Sequence, residues 1–286
     1  VQPSSIYEDL RRAVDEKASS FLRSLVVILN AAGEGLRLKP FTDDLPKALI
    51  PVGREKRPII YWTMLPLLLS GISTFVIGVR YRGGLIKERL GHGEGLSEEV
   101  GREVRIEYIE EPGPLGRAGC VKYGLETGLI SASNPTLIMN ASDILKIDVE
   151  HLAKHYLWHR ANYGFEVIQV YTSGYQVQYG IARLHPTTGR VLSFVEKPFK
   201  EEPANIACYC LQERLSDFLR IERIPTNPED DLVYRWMEEG ILGSYVLPRE
   251  NVLSFKFVKD IERIESLDLR EFLSNEPVRA WGPGPA

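Results

Sequence analysis

A mainly parallel β-sheet covered by helices on both faces is the fold class this sequence predicts, and two observations predict it. Apolar runs of strand length alternate with helical patterns through the first half of the chain, as in parallel sheets whose crossovers are helices. The first of these runs, Leu25-Val26-Val27-Ile28-Leu29, leads into the glycine-rich turn Asn30-Ala31-Ala32-Gly33-Glu34-Gly35. A buried parallel strand feeding such a turn places ligands at the carboxyl end of the sheet. At 286 residues the chain is long enough to bury a large core as one such domain.

The elements follow in order. Ile6, Leu10, Ala13 and Val14, then Ala18 and Leu22, recur at helical spacing, so residues 1–23 read as an amphipathic helix that must dock on something. After the strand at 25–29, residues 58–69 and 85–90 read as helices and residues 73–80 and 104–109 as strands. A helix over 118–129 and a strand over 136–139 complete the alternation. The second half is more mixed. Residues 180–184 and 190–195 flank Pro186-Thr187-Thr188-Gly189 as a hairpin. Strands are expected at 205–211 and 252–258, and helices at 215–219, 232–239 and 264–272. The alternating first half and the mixed second half are expected to form one domain over 24–275, and residues 276–286, with Trp281-Gly-Pro-Gly-Pro-Ala, a flexible tail.

The turn after the first strand carries the most chemistry. Its main-chain N–H groups can converge on phosphate oxygens. Arg37 follows two residues past Gly35, and Lys47 follows Pro46. Two fixed cations beside a phosphate cradle suit a nucleoside triphosphate, whose charge must be spread in the transition state. Leu38 stands where a Gly-x-Gly-x-x-Gly motif needs its third glycine, and no Gly-Lys-Ser/Thr follows, which excludes a P-loop. Asp143 lies just past the 136–139 strand, where a carboxylate projects into the ligand crevice and suits Mg²⁺ shared with phosphates.

Gly33, Gly35, Arg37, Leu38, Pro40, Thr42, Pro46, Lys47, Pro51 and Val52 resemble the signature of the sugar-1-phosphate nucleotidyltransferases (NDP-sugar pyrophosphorylases): Gly-x-Gly-Thr-Arg-Leu-x-Pro-x-Thr, then Pro-Lys-x-x-x-Pro-Val. The likeness runs from about Val26 to Phe272 and is nearest to mannose-1-phosphate guanylyltransferases and to glucose-1-phosphate thymidylyl- or uridylyltransferases. It implies a Rossmann-like three-layer α/β/α sandwich with a mainly parallel mixed sheet. It implies nucleotide contacts from Ala31, Ala32, Gly33, Gly35 and Gly116, and catalytic charge stabilisation by Arg37 and Lys47. Asp143 keeps the family's metal aspartate in Asn140-Ala141-Ser142-Asp143, and Asp260 stands where the second Mg²⁺ ligand belongs, at the end of a strand. Tyr179-Gly180-Ile181-Ala182 and Phe194-Val195-Glu196-Lys197-Pro198 resemble the sugar-phosphate side, with Lys197 on the phosphate, Glu196 on hydroxyls and Gly180 allowing close approach. Asn205 is a further sugar contact by the same resemblance.

Glu110-Glu111-Pro112-Gly113-Pro114-Leu115-Gly116-Arg117-Ala118-Gly119 resembles the family's base-reading loop. A carboxylate only accepts hydrogen bonds, and guanine offers two adjacent donors, so Glu111 favours GTP over uracil or thymine nucleotides. The implied reaction is condensation of a sugar-1-phosphate with an NTP, with mannose-1-phosphate and GTP the first pair, and dTTP or UTP with glucose-1-phosphate the alternative. Leu36, Ser142, Glu262 and Arg263 depart from the pattern and favour a rival reading, a non-catalytic regulator that binds nucleotide-sugar. The retained Arg37, Lys47, Asp143 and Asp260 oppose it.

Composition bounds the rest. A formal charge of −4 gives no reason to expect nucleic acid or an anionic membrane as partner, and the sequence leaves homo-oligomer formation open. No apolar run approaches the ~20 residues of a membrane span, and the charged N-terminus is unlike a signal peptide, which predicts a cytoplasmic location. Cys120, Cys208 and Cys210 make no disulfide framework and are expected as buried small hydrophobes. His151, His155 and His159 recur at four-residue spacing on a helix. Without a His-Glu-x-x-His motif, a solvated helix face is expected there rather than zinc.

Overall fold

The computed structural model describes residues 3–274, so the expected tail at 276–286 lies outside the described residues. Seven strands form the central sheet: β1 (Val26–Asn30), β2 (Thr74–Val79), β3 (Arg105–Glu110), β4 (Thr136–Asn140), β5 (Val167–Thr172), β6 (Ala204–Leu211) and β7 (Leu242–Leu247). Their spatial order is β7-β5-β6-β4-β1-β2-β3. Of these seven strands only β6 is antiparallel to its neighbours, β4 and β5; the other pairings are parallel. This is the mainly parallel mixed sheet that the alternation predicts.

Strand side chains alternate between two cores, which is why both faces must be covered. Val27 and Leu29 of β1 face one core, and Val26 and Ile28 face the other. The first face carries α1 (Pro3–Ser24), α2 (Ile59–Leu69), α3 (Gly83–Leu90), α4 (Glu94–Val100) and α6 (Val149–Tyr163). The second carries α5 (Gly116–Glu126), a 3-10 segment at Glu213–Arg220 and α7 (Leu232–Glu238). Two short helices, α8 (Val258–Ile264) and α9 (Leu269–Ser274), return to the first face through Ile261, Ile264 and Leu269. The result is a three-layer α/β/α sandwich.

Helix α1 docks on α6. Ala18 and Phe21 are buried, Leu22 packs against the same core, and the Phe21 and Tyr156 rings lie 5.2 Å apart. Lys154 of α6 reaches Asp15 at 2.6 Å. Of the stripe expected on this helix, Val14 is exposed, and the side chains of Ile6, Leu10 and Ala13 lie outside the described ones.

The chain order sets the position of the crevice. It runs from β1 outward to β2 and β3, then crosses back to β4 on the other side of β1. The carboxyl ends of β1 and β4, at the paired residues Asn30 and Asn140, are therefore the switch point where an open α/β sheet binds ligands.

Four features differ from the sequence expectation. Strands β5 and β7, and helix α4, carry no clear period in the sequence. Residues 252–258 split: only Val252–Ser254 is a strand, antiparallel to Asp143–Leu145, and α8 begins at Val258. Helix 264–272 is likewise two helices, α8 ending at Ile264 and α9 starting at Leu269. The histidine row of α6 is not a solvated face. His155 and His159 are buried, with stacked rings 3.9 Å apart. His155 Nε2 meets the Ser244 carbonyl at 2.9 Å, and His151 Nδ1 meets Tyr245 Oη at 2.9 Å, so this face packs on β7. Burial, and then the neighbouring His159, pull the His155 pKa down to about 4.

Candidate active site

The glycine turn after β1 is held by its neighbours. Ala31 donates its amide to the Gly78 carbonyl at 2.8 Å. Gly35 has φ 67°, and a Cβ there would sit 2.9 Å from Thr42 Cγ2, so both conformation and space require glycine. Thr42, almost wholly buried, donates to the Gly35 carbonyl at 3.0 Å; this threonine pins the turn. No atom lies within 4 Å of a Cβ built on Gly33, which leaves its face open. Leu36, in place of the family threonine, points to solvent at 62% exposure, and the next turn of 3-10 helix presents Arg37.

A cleft of about 420 Å³ opens at the switch point, within the range of small-ligand sites. Asn30, Ala31, Ala32, Gly33, Gly35, Arg37, Lys47, Glu111, Gly116 and Asp143 all line it. The nucleotide-side and charge-stabilising residues expected from sequence are therefore brought together. Lys47 rises from a short helical turn, Lys47–Leu49. Burial, with Arg37 and Lys256 nearby, lowers its pKa from the usual lysine value, against the pull of Asp143 and Asp260. Among the described residues neither Arg37, Lys47 nor Lys256 has an ion-pair partner. Cations left unpaired in a cleft are a preformed anion site.

Asp143 is 7% exposed, and its carboxylate is aimed by two donors. Ser254 Oγ donates to Oδ1 at 2.7 Å and Asn140 Nδ2 donates to Oδ2 at 2.7 Å. Ser254 can do so because it stands directly opposite Asp143 in the two-stranded ribbon. Asp260 sits on the first turn of α8 rather than at a strand end. Its Oδ2 accepts from the Lys256 and Phe257 amides, each at 2.8 Å, which caps the helix and explains why the strand stops early. Each aspartate keeps lone pairs for a cation. Among the described residues no group of three or more His, Cys, Asp or Glu side chains could hold a metal. The donor set fits a divalent ion completed by substrate phosphates, in the manner of Mg²⁺, and not one caged by protein alone.

Glu111 lies on the loop between β3 and α5. Its Oε2 accepts from the Leu115 amide at 3.3 Å, and burial pushes its pKa up, against the Cys120 thiol, the Leu115 amide and Arg80. Gly116 has φ 74°, and a Cβ there would collide with the Thr226 carbonyl. Its glycine identity therefore serves the packing of α5 against that strap.

A second, larger cavity of about 1140 Å³ adjoins the first, sharing Arg117, Asn140, Asp143, Ser254 and Lys256 with it. Asn205 and Asp260 line this one. Asn205 Nδ2 and Tyr209 Oη each donate to Glu229 Oε1 at 2.7 Å, and Arg117 Nη2 reaches Glu229 Oε2 at 2.7 Å. Gly180, Glu196 and Lys197 are not in its lining. They flank the hairpin Ile181–Leu184 and Val191–Val195, all of whose strand residues are exposed. Lys197 Nζ lies 3.6 Å from Glu196, both more than half exposed. Gly180 is occluded by the Phe194 ring and Glu196 rather than by a ligand surface.

Sequence reasoning missed Arg117, Glu229, Ser254 and Lys256. Arg117 stands inside the base-reading motif, in the family's threonine place, and Ser254 and Lys256 precede Asp260 by a few residues; both were visible signals. Glu229 carries no local motif.

The nucleotidyl transferase family model matches residues 25–245. A probable mannose-1-phosphate guanylyltransferase 2 of Oryza sativa subsp. japonica is 27% identical over 229 residues, covering 79% of this chain and 59% of that protein. A mannose-1-phosphate guanyltransferase of Emericella nidulans is 29% identical, covering 79% and 58%. The chain thus spans somewhat under 60% of the length of these curated relatives. Among solved structures, a putative glucose-1-phosphate thymidylyltransferase from Bacillus anthracis superposes with TM-score 0.60 at 18% identity, covering 84% of this chain and 94% of that one. HddC from Yersinia pseudotuberculosis complexed with GMP-PN gives 0.57 at 19% identity, covering 84% and 97%. These two share the fold.

Proposed function

Because the chain belongs to the nucleotidyl transferase family, we propose that it joins a sugar-1-phosphate to a nucleoside triphosphate, releasing pyrophosphate. The observation that carries the reading is the convergence of unpaired Arg37 and Lys47 with the oriented Asp143 at the sheet's switch point. A phosphate oxygen of the sugar-1-phosphate forms the new bond to the α-phosphorus. The bond from that phosphorus to the β-phosphate's bridging oxygen breaks, and pyrophosphate leaves with the electron pair. No enzyme nucleophile is needed, so positioning and charge stabilisation carry the catalysis.

Each residue has a part. Main-chain groups of Ala31, Ala32, Gly33 and Gly35 cradle the triphosphate, and Arg37 and Lys47 hold its charge as pyrophosphate departs. Asp143 and Asp260 would hold Mg²⁺, which supplies further neutralisation of phosphate charge when bound. Asn205 and Glu229 offer acceptors and donors to sugar hydroxyls. Glu111 offers two acceptor oxygens to the adjacent donors of guanine, and the named activities of the curated relatives agree with GTP and mannose-1-phosphate as the first pair.

The test is pyrophosphate release across five NTPs and the common sugar-1-phosphates, with Mg²⁺ present and then chelated. GTP with mannose-1-phosphate should be the best pair, and Glu111→Gln should shift the ratio toward UTP or dTTP by about tenfold. A wild type that binds nucleotide-sugar and turns over no pair would replace the enzyme with a regulator.

A further inference from the structure

The attacking phosphate must lie against the α-phosphorus, which places it where the two cavities meet. Two cations line both cavities, Arg117 and Lys256. Arg117 is committed: Glu229 pairs with its guanidinium at 2.7 Å, and Asn227 Oδ1 accepts from its Nε at 3.2 Å. Lys256 has no ion-pair partner among the described residues.

The chain's own geometry aims Lys256 inward. Residues two apart share a side in the strand Val252–Ser254, and Lys256, two residues further on, lines both cavities together with Ser254. Ser254 points to Asp143, and Phe255 between them is fully buried in the first core, so Lys256 falls on the Ser254 side. Its main chain is fixed by the bond from its amide to Asp260, while its four-carbon stem remains free to reach an anion. Its charge is felt at Lys47, the buried cation of the triphosphate cleft. Lys197 differs in each respect. It has φ 45°, follows the exposed hairpin, pairs with Glu196 and lines neither cavity, its carbonyl accepting from Gln176 in the wall of the larger one.

We propose that Lys256 is the cation that docks the phosphate of the sugar-1-phosphate beside the α-phosphorus, the part that the family resemblance gives to Lys197. This rests on the nucleotidyltransferase reading and assigns one more of its parts. Lys256 would donate a charge-assisted hydrogen bond to a non-attacking phosphate oxygen, with Asp143 lining the same junction and Asp260 the larger cavity.

Steady-state kinetics of Lys256→Ala, Lys256→Arg and Lys197→Ala test it, with each substrate varied in turn. Lys256→Ala should raise KM for the sugar-1-phosphate by at least about tenfold, the loss of one charge-assisted contact, with KM for the NTP little changed. Lys256→Arg should recover part of the loss, which a merely structural role would not require. Because Lys256 is exposed just past the end of the strand, thermal melts of the variants should match the wild type. A rise confined to the NTP, or no change in either KM, overturns the assignment, as does a sugar-phosphate defect in Lys197→Ala with none in Lys256→Ala. An inactive wild type would instead overturn the functional reading itself, which separates the two failures.

Discussion

Lys47 shows what the site costs the fold. Its ammonium is held largely out of water, between Arg37 and Lys256, and its pKa is lowered. A lysine whose folded pKa lies below its unfolded one destabilises the native state at every pH below the folded value. That penalty disappears as pH rises through the window up to the unfolded 10.5. Lys47→Met should therefore raise the melting temperature at neutral pH, with the gain narrowing as pH approaches that window. The same change should lower kcat by about a hundredfold, as for loss of one transition-state donor. A lower melting temperature would mean that the bound shape of the stem outweighs the desolvated charge. Asp260 separates two roles in a similar way. Asp260→Asn keeps an acceptor oxygen for the Lys256 and Phe257 amides but is a poor Mg²⁺ ligand, whereas Asp260→Ala loses both. Activity should fall severely in both variants, and only the alanine should also lose about 1 kcal/mol of stability, the worth of a helix cap. An asparagine variant with wild-type turnover and wild-type metal dependence would leave Asp260 as a cap alone.

Elements were legible where a local signal sufficed. The run before Asn30, the Gly33–Gly35 turn and the Pro186–Gly189 hairpin turn each announce themselves within a few residues, and the structure has them. Strand β5 does not, because Gln169 sits in its middle. That glutamine is buried and accepts from Tyr171 Oη at 2.8 Å, a partner that no pattern of residue types reveals. The pattern of β7 is broken by Gly243, whose missing side chain makes room for the Phe165 ring while the strand runs on unbroken. The stop at Ser254 is dictated from six residues downstream, by the Asp260 carboxylate on the Lys256 and Phe257 amides, so apolar spacing alone carries the strand on to Val258. The histidine row of α6 illustrates the same limit. Four-residue spacing marks one helical face equally well whether that face meets water or, as here, Tyr245 and the Ser244 carbonyl. The site followed the same rule: the residues inside the motifs of the first half meet in one cleft, whereas the hairpin bearing Glu196 and Lys197 stands away from it.

At the scale of the whole molecule, function and stability are drawn from opposite ends of one sheet. The cleft lies at the carboxyl ends of β1 and β4, and the N-terminal helix enters β1 from the other end. Leu25 donates its amide to the Leu22 carbonyl at 3.2 Å, so α1 passes into the strand without a linker, and Phe21 packs into the first core against Tyr156 of α6. Among the described residues no helix is long and apolar enough to cross a membrane, and Ala18, Phe21 and Leu22 of α1 are spent on this contact. Removing the ring should leave a cavity beneath the sheet. Phe21→Ala should cost about 3–5 kcal/mol and lower the melting temperature by roughly 5–15 °C. KM for both substrates should stay at wild-type values below the transition, because no residue that lines the cleft belongs to α1 or α6. An unchanged melting temperature would mean that α1 adds no stability to the sheet. Altered KM values in a variant of normal stability would couple the helix to the cleft through β1, since β1 is the element that both ends share.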